Sequence, residues 1–113
     1  MTLSDIQRKA CESVLHDAEA GRRERGLKIA QQPHLLDLKP SENGNILVRF
    51  TYEQAFNLTL RKIEEMSYSV IIMGSGNTAC DCGDSTGRQV ICKHACAVSA
   101  LLLTEHRQAT EKG

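Results

Sequence analysis

Apolar residues near the start of the chain recur at helical spacing. Ile6, Ala10, Val14 and Ala18, joined by Cys11 and Leu15, fall on one stripe with polar residues between them. Ser4 and Gln7 have the spacing of a capping box. The pattern predicts an N-terminal amphipathic helix within residues 1–26, running from about Asp5 into the low twenties. The charged run Arg22, Arg23, Glu24, Arg25 blurs its end, and Gly26 is the candidate left-handed C-cap. Cys11, on the apolar side, reads as a small buried hydrophobe.

The period then changes. Between Pro33 and Pro40, Leu36 and Leu38 alternate with Asp37 and Lys39, which fits a short strand. Ser41 to Asn45, with its Asn43-Gly44 pair, reads as a hairpin turn into Ile46 to Phe50, where Ile46, Val48 and Phe50 share one face. Thr51 and Gln54 again match a capping box, and Tyr52, Ala55, Phe56, Leu60, Ile63 and Met66 keep steps of three and four, so a second helix is expected over 52–66. A strand carrying Phe56, Leu58 and Leu60 on alternate positions is the competing reading, and length favours the helix.

Tyr68 to Met73 is rich in β-branched residues, and Gly74 to Asn77 forms a turn into Thr78 to Cys82, giving a second hairpin. A polar loop follows from Gly83 to Arg88, with a short extended piece over Gln89 to Ile91. A closing helix turns Val98, Leu101 and Leu102 inward, and the tail from about Gln108 to Gly113 is expected to be disordered. The fold class is thus α+β within a single domain over 1–113: N-terminal helix, two β-hairpins with a helix between them, and C-terminal helix.

Composition narrows this picture. With 113 residues, no Trp, two Phe and two Tyr, the core must be aliphatic and modest, so a cross-link would matter. Lys plus Arg equals Asp plus Glu at 14 each, which leaves no long-range field to draw in a polyanion and confines any nucleic-acid contact to a local patch. Met1 to Ala10 lacks the apolar core of a signal peptide and no apolar run is long enough to cross a bilayer, so an intracellular protein, cytoplasmic or nuclear, is expected.

Five cysteines are present, four of them between residues 80 and 96, and clustered thiols in such a chain more often hold a metal or do redox work than form structural disulfides. Cys80-Asp-Cys82 closes the second hairpin, and in extended chain residues two apart point the same way. Cys92-Lys-His94 opens the closing helix, where unsatisfied amides and the dipole favour thiolate. Three thiolates and an imidazole suit structural Zn2+, tetrahedral and closed to water. Such a site carries about one negative charge, which Lys93 and Arg88 can offset, and Gly83 and Gly87 suit a loop that wraps over the ion. Cys96, four residues after Cys92, competes with His94 for the fourth position. His16, His34 and His106 lack partners at ligand spacing and read as surface or core-edge residues.

Cys-x-Cys, a loop, Cys-x-His and an apolar helix resemble the SWIM zinc finger. The likeness runs from about Tyr68 to Leu103, within a segment 68–104, through the Tyr-Ser-Val-Ile strand, Cys92-Lys93-His94-Ala95 and Ala97-Val98. It implies Cys80, Cys82, Cys92 and His94 as ligands, a hairpin followed by a helix, and a role in DNA binding or protein interaction. SWIM segments usually sit within larger proteins, and no partner enzyme domain is expected beside this one.

The functional expectation is a non-enzymatic zinc module that binds protein or DNA, with no small-molecule substrate. The basic stretches Arg22 to Lys28, Arg61-Lys62 and Arg88 with Lys93 are candidate phosphate contacts or, as ordinary surface, solvated faces. Few aromatics are available to stack on single strands. The alternative is a thiol redox or iron-sulfur protein using the same cysteines. Asp81 and Asp84 are the nearby carboxylates, better placed as supports than as general bases.

Overall fold

The structure, a computed structural model, describes residues 3–39, 44–59, 61–82 and 90–111, with backbone alone at 54–57 and 63–64. Its elements are α1 (Asp5–Asp17), α2 (Ala20–Ala30), β1 (His34–Lys39), β2 (Ile46–Asn57), β3 (Lys62–Ile72), β4 (Thr78–Cys80) and α3 (Lys93–Glu111). The four strands form one antiparallel sheet in the order β1-β2-β3-β4. The α+β class expected from the sequence is the one observed, with the C-terminal helix following directly on the Cys/His cluster.

Period-two alternation builds the core. Ile46, Val48, Phe50 and Tyr52 of β2, Val70 and Ile72 of β3, and Cys80 of β4 are all buried, and pairing puts Val48 opposite Val70 and Val70 opposite Cys80. α3 lies on this face, with Ala95, Val98 and Leu102 buried, and packs against both α1 and α2 as well as the sheet. α1 contributes Ala10, Cys11 and Val14 of the stripe its sequence marked out, whereas Ile6, the first residue of that stripe, is exposed. Its capping box forms: the Gln7 amide donates to Ser4 Oγ at 3.2 Å and the Ser4 amide to Gln7 Oε1 at 2.9 Å.

Three expectations are corrected. Residues 52–57 and 62–66 are strand, not helix: β2 continues through Asn57 and β3, from Lys62, pairs back on it, so the expected helix between two hairpins is itself a hairpin. Thr51 does not cap a helix; its hydroxyl meets that of Ser67 across the sheet at 3.1 Å. A register shift between Glu53 and Phe56 interrupts the alternation there, which is why the stretch imitated helical spacing.

The N-terminal helix is two helices. Ala18 turns extended at φ −67°, ψ 146°, ending α1, and α2 then runs through the charged run and Gly26 to Ala30. Arg23 holds the joint, donating from Nε to the Leu15 carbonyl at 2.6 Å and from Nη2 to the Ala18 carbonyl at 2.9 Å, so carbonyls left unpaired at the end of α1 are satisfied. Gly26 is not a C-cap. It is buried where α2 crosses α3, and a Cβ there would stand 2.5 Å from the Lys93 carbonyl oxygen and 2.6 Å from Cys96 Cβ.

The third correction concerns the tail, where α3 stays helical to Glu111. Of the expected turn Ser41 to Asn45, residues 41–43 lie outside the described residues, and Gly44 has the left-handed φ of 76°. The polar loop Gly83 to Arg88 and Gln89 also lie outside them, and Val90 and Ile91 are not in a strand. Among the described residues no helix is long and apolar enough to cross a membrane.

Candidate metal centre

β4 ends at Cys80, and the chain bends through Asp81 to Cys82. Asp81 fixes that bend from the outer side of the sheet. Its carboxylate accepts from the Ser69 amide at 3.0 Å, its own amide donates to the Ser69 carbonyl at 3.3 Å, and Arg49, 3.7 Å from the carboxylate, also donates to Ser69 Oγ at 2.9 Å. With Asp81 tied outward, the cysteines on either side of it are both buried on the inner side. Asp81 is thus a support of the turn, as its sequence position suggested. Asp84 lies outside the described residues.

The other two residues come from the start of α3. Cys92 immediately precedes the helix and His94 lies in its first turn. The Cys92 sulfur accepts from the Ala95 amide at 3.4 Å, a helix-start donor turned onto a thiol. One ligand atom from each of Cys80, Cys82, Cys92 and His94 lies within 4.8 Å of every other, and all four residues are buried. A tetrahedral zinc site separates its ligand atoms by roughly 3.3–3.8 Å, so the cluster closes around an ion with movements of an ångström or less. Donor number, donor type and burial therefore all fit a metal ion.

His94 is held from two sides. Its Nε2 shares a hydrogen bond of 3.2 Å with the Tyr52 hydroxyl, while its Nδ1 faces Cys80 Sγ at 3.9 Å. The Tyr68 ring stacks on the imidazole, centroids 3.9 Å apart and planes 25° from parallel. The nitrogen turned to the sulfurs is thus Nδ1, and Tyr52 occupies the other. Burial pushes the Tyr52 hydroxyl up to about 12, so it keeps its proton through the neutral range. Neither tyrosine's part follows from motif spacing, and the expected helix over 52–66 puts Tyr52 on the wrong element, since it lies in β2. The readable signal was its position in phase with Ile46, Val48 and Phe50.

The thiols are tuned against each other. Cys92 is drawn down, chiefly by its hydrogen bond with Cys80, against the effect of burial and with help from His94, the Ala95 amide and Cys82. Cys80 is raised, first by that same bond and then by burial. The cluster thus favours a thiolate before any cation arrives.

Cys96 does not compete for the site. It faces the α2 crossing beside Gly26, and burial pushes its thiol up to about 11. Cys11 is likewise buried and raised to about 11. Among the remaining histidines, His106 Nδ1 accepts from the Leu3 amide at 2.9 Å, exposed His16 pairs with Asp17, and His34 Nδ1 lies 2.8 Å from the Gln32 carbonyl. The chain matches no protein-family model, and neither the curated proteins nor the solved structures contain a significant match to it.

Proposed function

We propose that this chain is a structural zinc module of SWIM type, with Cys80, Cys82, Cys92 and His94 as ligands, that serves to bind another macromolecule rather than to catalyse. The observation that carries this reading is the convergence of three sulfurs and one imidazole nitrogen into a single buried cluster. Bound there, zinc would supply a cross-link between the end of β4 and the start of α3, replacing thiol protons with a shared cation. With Nδ1 committed to the ion, His94 Nε2 carries the proton and donates it to the Tyr52 hydroxyl oxygen, which fixes the ring. Lys93, between two of the ligands, offsets the negative charge of a three-thiolate site.

The non-enzymatic reading rests on donor count. Catalytic zinc keeps a position for water, whereas four protein donors complete a tetrahedral shell. The metal-bearing segment is 68–104, and the N-terminal helices brace it through α3. The resemblance to SWIM fingers supports a nucleic-acid or protein partner. A chelator titration followed by circular dichroism tests the structural role: loss of zinc should melt helix and hairpin signal together. Unchanged secondary structure in a zinc-free chain would overturn it. A brown protein containing iron would instead favour the iron-sulfur alternative.

A further inference from the structure

The basic run that opens α2 is divided by the fold into charges already in use and charges left over. Arg23 is bound to carbonyls at the end of α1, and Arg22 pairs with Glu19. Arg25 and Lys28, on one stripe of α2, and Gln32 just beyond its end instead line an open cleft of about 230 Å3. Lys93, at the first turn of α3, and Tyr52 of β2 also line it. Glu53 is the single carboxylate among the lining residues, against three cations. Lys28 lies 3.8 Å from Glu24, but both side chains are 72% exposed, so that pair is weak and easily exchanged.

We propose that this cleft between α2, β2 and the start of α3 contacts the phosphate backbone of a nucleic acid through Arg25, Lys28 and Lys93. A chain with equal numbers of acidic and basic residues gathers three cations at one place, which is the local patch its neutral composition demanded. The cations come from two helices and line an open groove. Arg25 and Lys28 are three residues apart, about 4.5 Å along the helix axis, and Lys93 comes from a second helix. That arrangement suits several phosphates of an extended strand, neutralised without reading bases, better than a single phosphate group.

The inference rests on the metal-held module proposed above, because Lys93 lies between Cys92 and His94 and its position follows theirs. Zinc would then organise the groove without touching the ligand. Binding should be weak and salt-sensitive, with a logarithmic salt slope of about −2 to −3 on duplex DNA for two to three neutralised phosphates.

The test uses the zinc-loaded full chain and fluorescence anisotropy of a labelled short DNA duplex and its single strand across salt concentrations. Zinc content and circular dichroism are measured on every sample. Arg25→Glu/Lys28→Glu should weaken binding at least about tenfold at low salt and flatten the slope by about two, with zinc content unchanged. The exposed Lys9→Glu/Arg107→Glu pair makes the same charge change elsewhere and should retain most of the affinity. Should the glutamate pair unfold the chain, Arg25→Gln/Lys28→Gln reads the same contact with a smaller perturbation. Equal losses in groove and control variants would overturn the proposal, since net charge alone would then account for binding. So would a zinc-loaded wild type that binds neither probe, which leaves the metal reading standing. Displacement by inorganic phosphate beyond its ionic-strength effect would also overturn it, in favour of a pocket for one phosphate group. Wild type lacking zinc would instead be the failure of the metal reading, seen in the metal assay.

Discussion

Five buried thiols divide into two groups that meet at α3. Cys80, Cys82 and Cys92 surround His94 at the helix start, each near other polar ligand atoms. Cys11, on α1, packs in the apolar core, and Cys96, in the first turn of α3, faces the close crossing of α2 at Gly26. Burial alone disfavours a thiolate, and both solitary thiols are pushed up to about 11. In the cluster the same burial is overcome at Cys92 by hydrogen bonds from its neighbours. Burial therefore does not tell a ligand from a packing residue; the neighbours of the sulfur do.

The widest separation between the groups should come from substitution. Cys92→Ser should abolish stoichiometric zinc binding and remove most of the metal's contribution to folding, on the order of 10 kcal/mol apparent at neutral pH. Cys11→Ala deletes about one methyl-sized group and should cost on the order of 1 kcal/mol with zinc retained. Denaturant titration with metal analysis reads both. Comparable losses of zinc from the two variants would erase the distinction.

Gly26→Ala probes the contact that joins the groups. Alanine is the better helix former by about 1 kcal/mol, yet its methyl would press on the Lys93 carbonyl and Cys96 Cβ. The expected net result is destabilisation by about 1–3 kcal/mol, with weaker zinc binding because the start of α3 must shift. A stabilised variant would contradict the close crossing.

Tyr52→Phe removes the partner of His94 Nε2 while keeping the ring in the core. It should lower zinc affinity about 10–100-fold in a chelator competition and leave the secondary structure intact. Unaltered affinity would mean that Tyr52 packs without orienting the ligand.

The smallest effect is a pH dependence belonging to the solitary thiols. An unfolded cysteine ionises near 9, whereas Cys11 and Cys96 hold their protons to about 11 in the fold. The unfolded state therefore releases protons first as pH rises, so stability is full below about 9 and declines toward 11. The decline should reach about 1.4 kcal/mol for each thiol by pH 10. Cys11→Ala should shallow it in urea titrations at successive pH values, and an unchanged slope would remove Cys11 as a source.

Local signals in the sequence were sufficient where neighbours in the chain settle the structure. The Ser4–Gln7 box, the strand between Pro33 and Pro40, the turn at Gly74 to Asn77 and the helix after Cys92 all belong to this class, and so does the pairing of Cys-x-Cys with Cys-x-His. The failures are long-range. Residues 52–57 and 62–66 become strands because β2 pairs with β3 across a register shift, and the shift hid the alternation that Tyr52 continues from Phe50. Gly26 resembled a helix end because only its approach to Lys93 and Cys96, some seventy residues on, reveals a packing role. For the same reason Arg23 could not be told from Arg25 by sequence, although one caps α1 and the other faces a cleft.

Elemental analysis of the purified wild-type chain beside Cys82→Ser is the most direct test of a metal-tied hairpin and helix. One zinc per wild-type chain and none in the variant is the expected result. A folded wild type that carries no zinc and takes none up when titrated would contradict it.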